Sequence, residues 1–250
     1  MSAPSPSTDD VPVVFVHGWA GSFRRTWDEP GVAELVRELG RTVTGCDLPG
    51  HGESGPLDGQ RAESLDDADL RLALVAKIES VLATTGASQV AAVGFSLGAL
   101  TVLGTAVEHP NLFERIVLAG IGDKVMRAHD TAQTERIVAG VRESAEAGDV
   151  TARVFGRLAR DAGNHPDSLV AVLRRRRRAP YTVDELATLH MPVLVAIGDA
   201  DFEYPATGLV AAIPGARVAV LPGVDHFRTP ESFAFIDALL DFLPRHRVDG

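Results

Sequence analysis

Hydrophobic positions along this chain come in short runs bounded by turn-forming residues. Val13 to Val16, Thr42 to Cys46, Gln89 to Val93, Arg115 to Ala119, Val193 to Ile197 and Arg217 to Leu221 are rich in Val and Ile, the pattern of strands buried on both faces. Between these runs the spacing changes. Gly31 to Leu39, Ser64 to Ala83, Leu97 to Glu108 and Glu231 to Leu243 carry apolar residues at helical intervals, the last starting just after Pro230. Strands that alternate with helices predict an α/β fold: a mostly parallel sheet of about six strands with helices on both faces. No segment repeats at a period of 20 to 50 residues, which excludes solenoids and propellers.

One interval breaks the rhythm. About seventy residues separate Ala119 from Val193 without a strand signal, far more than a crossover helix needs. Within it, Ala132 to Ala147, Val150 to Ala162 and Asp167 to Arg177 read as helices. The expected organisation is a tail at 1–11, a core of 12–121 and 183–250, and an all-helical insertion at 122–182 lying over the sheet.

Composition fits one globular unit: 250 residues, 45% hydrophobic, with a net charge of -10 that argues against a nucleic-acid partner. Cys46 is the single cysteine, so no internal disulfide framework exists. Residues 1–10 (MSAPSPSTDD) show neither a basic start nor an apolar stretch, and with the lone cysteine they favour a cytoplasmic location. Val90 to Val107 is free of charge and about long enough to span a bilayer, but Gly94 to Gly98 would break a helix in its middle. No membrane segment is expected.

The chemistry concentrates at turns that follow strands. Gly94-Phe95-Ser96-Leu97-Gly98 joins a strand to a helix, the context a nucleophile elbow requires, with glycines where a Cβ would clash. A serine there needs a base and an orienting acid. His226, in the loop between the last strand and the last helix, is the best-placed base. For the acid, Asp201 lies far enough into its loop to turn back toward His226. Asp199 sits directly after Gly198 and reads as bracing the turn, and Asp123 is a minority candidate. Backbone donors for an oxyanion are expected from Leu97, at the helix start, and from Trp19 in His17-Gly18-Trp19-Ala20-Gly21.

Taken together these segments resemble the alpha/beta-hydrolases. The His17 to Gly21 loop, Asp47-Leu48-Pro49-Gly50-His51-Gly52-Glu53-Ser54, the Gly94 to Gly98 elbow, Gly198 to Asp201 and Gly223 to His226 occur in that family's order and spacing. The resemblance implies a triad of Ser96, Asp201 and His226, oxyanion donors at Trp19 and Leu97, and a cap at 122–182. By the same resemblance Asp47 to Ser54 is a structural turn. The short stretch before Val13 implies that the family's N-terminal hairpin is absent or reduced.

The expected activity is hydrolysis of carboxylic esters, with thioesters or lactones as relatives, through an acyl-Ser96 intermediate. Carbon-carbon hydrolysis of diketone-type substrates is the alternative, and a non-catalytic binding protein on the same scaffold is a third reading. No cofactor is implied, and no metal, since there is one cysteine and no H-E-x-x-H. The expected partner is a small ester with a largely apolar acyl group. Apolar residues of the insertion (Ile137, Val138, Val141, Val154, Phe155, Leu158, Leu169, Val172) suit such a group or simply pack the insertion onto the core. The run Arg174 to Arg178 either recruits an anionic substrate or acyl carrier or forms a salt-bridged face.

Overall fold

The computed structural model describes residues 11–243. The tail expected at 1–11 therefore lies outside the described residues apart from Val11, as do the reading of 1–10 as lacking a targeting signal and the end of the core beyond Leu243. Six parallel strands form one sheet in the order β2-β1-β3-β4-β5-β6. They are β1 (Val13–Val16), β2 (Val43–Cys46), β3 (Val90–Phe95), β4 (Phe113–Ala119), β5 (Val193–Gly198) and β6 (Arg217–Leu221). The α/β architecture expected from the sequence is present.

Strand alternation sorts the core into two layers. Val14, Val16, Val90 and Ala92 face one side, where α3 (Asp67–Thr85) and α4 (Leu97–Glu108) cover them with Leu70, Leu74, Ile78, Val102 and Leu103. Val13, Phe15, Ala91 and Val93 face the other, under α1 (Val32–Arg37) and α10 (Phe233–Phe242) with Val36, Phe235 and Leu239. Strands β1, β3 and β5 are wholly buried, and β4 is buried from Ile116 to Ala119. Reading Arg217 to Leu221 and Thr42 to Cys46 as fully buried needs correction: β6 and β2 are the sheet edges, and Val218 and Val220 remain about half exposed.

The charge-free stretch at Val90 to Val107 is split, as Gly94 to Gly98 foretold, into β3 and α4. Inside the buried α4, the Thr101 and Thr105 hydroxyls donate to the carbonyls four residues earlier, at 2.9 and 2.8 Å, so neither is left unpaired. Among the described residues no helix is long and apolar enough to cross a membrane.

Helices not signalled by the sequence pattern are short: α2 (Gly59–Ser64), α8 (Val183–Leu186) and α9 (Thr207–Ala212). Between β4 and β5, α5 (Thr131–Val141), α6 (Val150–Ala162) and α7 (Pro166–Arg174) form a separate apolar cluster that packs on Trp19 and Ala20 of the loop after β1. Two helix ends differ from expectation. The first inserted helix stops at Val141, where Arg142 leaves the α region and Glu143 takes a positive φ of 56°. The helix expected over Asp167 to Arg177 stops at Arg174, because the chain turns extended and Arg176 pairs with the chain before α3. Its N–H donates to Leu65 O and its carbonyl accepts from Asp67 N–H.

Helices α5 and α6 touch backbone to backbone. A Cβ on Gly140 would lie 2.0 Å from the Ala152 carbonyl oxygen, and one on Gly156 2.4 Å from that of Gly140. Gly140→Val should therefore destabilise the protein by about 2 kcal/mol or more through overpacking. Gly59→Ala, where nothing stands within 4 Å, should change stability by under about 0.5 kcal/mol. Denaturant unfolding of both variants checks this, and equal midpoints would contradict the close packing.

Candidate active site

Ser96 sits between β3 and α4 with φ 50° and ψ −110°, a conformation costing a non-glycine residue on the order of 1–3 kcal/mol. Its surroundings enforce the turn. The Ser96 N–H donates to Ala119 O on β4 at 2.8 Å. A Cβ on Gly98 would lie 2.3 Å from Val16 O, and one on Gly94 2.6 Å from the Gly98 carbonyl, so only glycine lets the three segments meet this closely.

The loops beyond the strand ends converge on this serine. His226 Nε2 lies 3.0 Å from Ser96 Oγ, and His226 Nδ1 lies 2.9 Å from Asp201 Oδ2 and 3.0 Å from Oδ1. Both His226 and Asp201 are about 5% exposed. The imidazole packs against the rings of Phe202 and Phe95, at centroid distances of 4.3 and 5.1 Å. Asp201 Oδ1 also accepts the Glu203 N–H at 2.8 Å, which fixes the carboxylate.

The other candidate acids are committed elsewhere. Asp199 Oδ1 accepts the Gly223 N–H at 2.7 Å and joins the β5 and β6 loops. Asp123 Oδ1 accepts the Leu209 N–H at 2.9 Å near the start of α9. The structure thus brings Ser96, His226 and Asp201 into one line of hydrogen bonds and sets Asp199 and Asp123 apart from it.

Trp19 and Leu97 line the same cavity as Ser96 and His226. Their backbone N–H groups find no acceptor among the described residues. The Trp19 indole lines this cavity and also donates from Nε1 to Leu169 O on α7 at 3.0 Å, so pocket wall and packing are one role. The cavity measures about 580 Å³ and is walled by Leu100, Ile137, Phe155 and Leu173 as well as by polar groups. Of the apolar insertion residues singled out in the sequence, Ile137 and Phe155 reach it, whereas Val138, Val141, Leu158 and Leu169 pack within the helical cluster and Val172 joins the main core. Val154 faces outward at 40% exposure.

The loop carrying Trp19 is shaped by two buried histidines whose rings lie 4.9 Å apart. His17 Nε2 accepts the Leu48 N–H at 3.0 Å, and His51 Nε2 accepts the Ala20 N–H at 3.1 Å. Asp47 accepts the Phe23 and Glu53 N–H groups at 2.6 and 2.8 Å. These bonds clamp the loop after β1 to the turn after β2. Accepting at Nε2 requires neutral imidazoles with the proton on Nδ1, where Gly18 O and Pro49 O take it. Burial lowers both pKa values, that of His51 to about 3.

Other titratable groups are displaced by the same physics. Burial pushes the Cys46 thiol up to about 12, which leaves it protonated and inert. Burial raises the Glu203 carboxyl, with Lys124 at 3.4 Å opposing the shift. Among the described residues no group of three or more His, Cys, Asp or Glu side chains could hold a metal ion. The sequence did not signal the aromatic surround of His226. Phe202 and Phe227 are loop residues with no periodicity to mark them, and both contact Phe155 of α6 at 6.3 and 5.3 Å.

Comparison with known proteins places this geometry. Residues 13–238 match the model of the alpha/beta hydrolase family. An esterase of Mycobacterium tuberculosis is 33% identical over 125 residues, which are 50% of this chain and 37% of that protein. The dihydrolipoyllysine-residue acetyltransferase component of the acetoin cleaving system of Cupriavidus necator is 28% identical over 245 residues, covering 91% of this chain and 62% of that protein. The chain thus spans 37% and 62% of the length of these two relatives. Among solved structures, a bromoperoxidase from Bacillus anthracis superposes with a TM-score of 0.69 at 26% identity, covering 93% of this chain and 91% of that one.

The neutral histidines make stability depend on pH. The folded pKa of His51, about 3, lies below its unfolded value of 6.5, so below pH 6.5 the unfolded chain binds the extra proton. Stability is full above pH 6.5 and falls as pH drops toward 3, by at most about 1.4 kcal/mol per pH unit from this group. Thermal unfolding of the wild type across pH 7 to 4 should show the decline. His51→Gln, which takes no proton, should be less stable at pH 7 and decline less steeply; parallel profiles would assign the acid sensitivity to other groups.

Proposed function

The chain belongs to the alpha/beta hydrolase family, and from that premise we propose that it is a carboxylic-ester hydrolase acting through an acyl-Ser96 intermediate. The observation that carries the proposal is the hydrogen-bonded line from Ser96 Oγ to His226 Nε2 and from Nδ1 to Asp201, opening on a largely apolar cavity. The similarity to a mycobacterial esterase supports the choice of ester.

In this reading Ser96 Oγ attacks the ester carbonyl as His226 Nε2 takes its proton. Asp201 holds the Nδ1–H tautomer and stabilises the imidazolium that forms. The carbonyl oxygen becomes an oxyanion held by the backbone N–H groups of Trp19 and Leu97, with the positive end of α4 behind it. Collapse of the tetrahedral species breaks the ester bond, and His226 returns the proton to the departing alcohol. Water, deprotonated by His226, then cleaves the acyl-serine and releases the acid. The free N–H groups cost nothing to reorganise when charge develops, because the histidine clamp already fixes the Trp19 loop.

Residues 122–182 act as the cap in this proposal. Phe155 touches Trp19, Phe202 and Phe227, so the inserted helices cover part of the cavity beside the serine. The substrate is a small ester with a largely apolar acyl chain.

Hydrolysis of p-nitrophenyl esters from acetate to decanoate tests the reading. Ser96→Ala should remain folded and lose nearly all turnover. Asp201→Asn should cost on the order of 10³–10⁴ in kcat, and Asp199→Asn far less. Turnover surviving in Ser96→Ala would move the nucleophile elsewhere. A folded wild type with no turnover at any chain length would count against simple esters and favour carbon-carbon hydrolysis or a narrow carrier-bound substrate.

A further inference from the structure

The run Arg174 to Arg178 leaves the helix after its first member and continues extended. Extended backbone turns successive side chains to opposite sides. Arg175 is buried, Arg176 is exposed, and Arg177 turns back inward. Four of these five arginines have carboxylate partners. Arg174 pairs with Glu135, Arg175 with Asp67, Arg176 with Asp66 and Arg178 with Glu185, each at 2.6 Å.

Arg177 is different. Its side chain has neither an ion pair nor a hydrogen bond among the described residues, and its Nε is buried without an acceptor. A guanidinium in this state is costly unless something negative completes it. Arg177 lines the cavity that also contains Ser96, His226, Trp19 and Leu97. It also lines an adjoining cavity of about 330 Å³ that shares His129 and Thr134 with the first.

We propose that Arg177 is the anion-binding residue of the substrate pocket, holding a carboxylate carried by the ester at the end remote from the bond that is cleaved. This deepens the ester reading and rests on it for the reaction, while the binding site itself stands on the unpaired guanidinium. The charge balance of the lining favours an anion, since six Lys and Arg side chains line the cavity against three Asp and Glu. The Asp67 and Glu203 carboxylates that line the same cavity already have Arg175 and Lys124 as partners, which leaves Arg177 without a carboxylate of its own. Burial and the neighbouring Arg175 cation lower the Arg177 pKa to about 10, which leaves it charged at neutral pH. A planar guanidinium suits a carboxylate through paired N–H donors. The apolar wall formed by Leu100, Ile137 and Leu173 fits a methylene chain between carboxylate and ester.

The test compares p-nitrophenyl monoesters of adipate, pimelate and suberate with neutral p-nitrophenyl esters of equal chain length. Wild type should show higher kcat/KM on the carboxylate series, mainly through a lower KM. Arg177→Gln should reduce the carboxylate-over-neutral ratio by on the order of ten- to a hundredfold, Arg177→Lys should restore part of it, and Arg176→Gln should leave it unchanged. No preference in wild type, or a ratio unaltered in Arg177→Gln, overturns the proposal. If wild type turns over neither series, the ester reading fails and calorimetric titration with adipate decides the site. Binding weakened in Arg177→Gln supports it, and absent or equal binding overturns it.

Discussion

The architecture depends on one strained residue. Ser96 holds a positive φ because β3 must end and α4 must begin within a single residue, with α4 resting against the carbonyl end of β1. That strain is offset by the sheet. The Ser96 N–H is tied to β4, and the helix that follows buries Leu97, Val102 and Leu103 in the main core. The same crowding that strains the serine raises its hydroxyl above the strand ends, where loops from β5 and β6 deliver Asp201 and His226. Position and strain are one feature, since relaxing the turn would move the hydroxyl.

A second constraint concerns the loop opposite. Backbone donors work only if they are aimed before charge develops, and short loops without side-chain support do not hold such an aim. Here the bonds nearest Trp19 come from two neutral imidazoles, while the Asp47 carboxylate holds the same loop farther along, at Phe23. His17 and His51 each accept an N–H from the neighbouring loop, and this demands the neutral imidazole that burial enforces. A protonated imidazole at either position would lose its acceptor and add a full charge to the loop that carries Trp19. A neutral clamp keeps the electrostatics of the proposed mechanism with Trp19, Leu97 and α4.

Much of this was legible in the sequence, for physical reasons that differ by element. The central strands announced themselves because burial on both faces leaves uninterrupted Val and Ile runs. Ser96 was legible because glycines two residues to either side of a serine, between a strand and a helix, mark a turn too tight for larger side chains. Asp199 was legible because an Asp directly after Gly198 has no reach toward His226. Edge strands misled: β6 carries Val218 and Val220 in a strand-like run, and composition does not report that one face lacks a covering helix. The aromatic enclosure of His226 was not legible at all. Phe155 and Phe202 are 47 residues apart, and their contact exists only because the inserted helices fold back over the site.

The arginine run shows where helical reasoning stops. Five consecutive arginines on a helix would point most ways around it, and a solvated face would be the natural outcome. The helix ends at Arg174 because Arg176 forms backbone bonds with Leu65 and Asp67, a pairing more than 100 residues distant in sequence that no local pattern encodes. Once extended, the period changes from 3.6 to 2, and the charges separate into an outward member and inward members. Asp66 and Asp67, on the segment that pairs with the run, supply carboxylates for Arg176 and Arg175. The side chain left over, Arg177, faces the cavity. A single β-bridge thus divides the basic segment beyond Arg174 into three ion pairs that fasten the insertion to the core and one cation with no partner among the described residues.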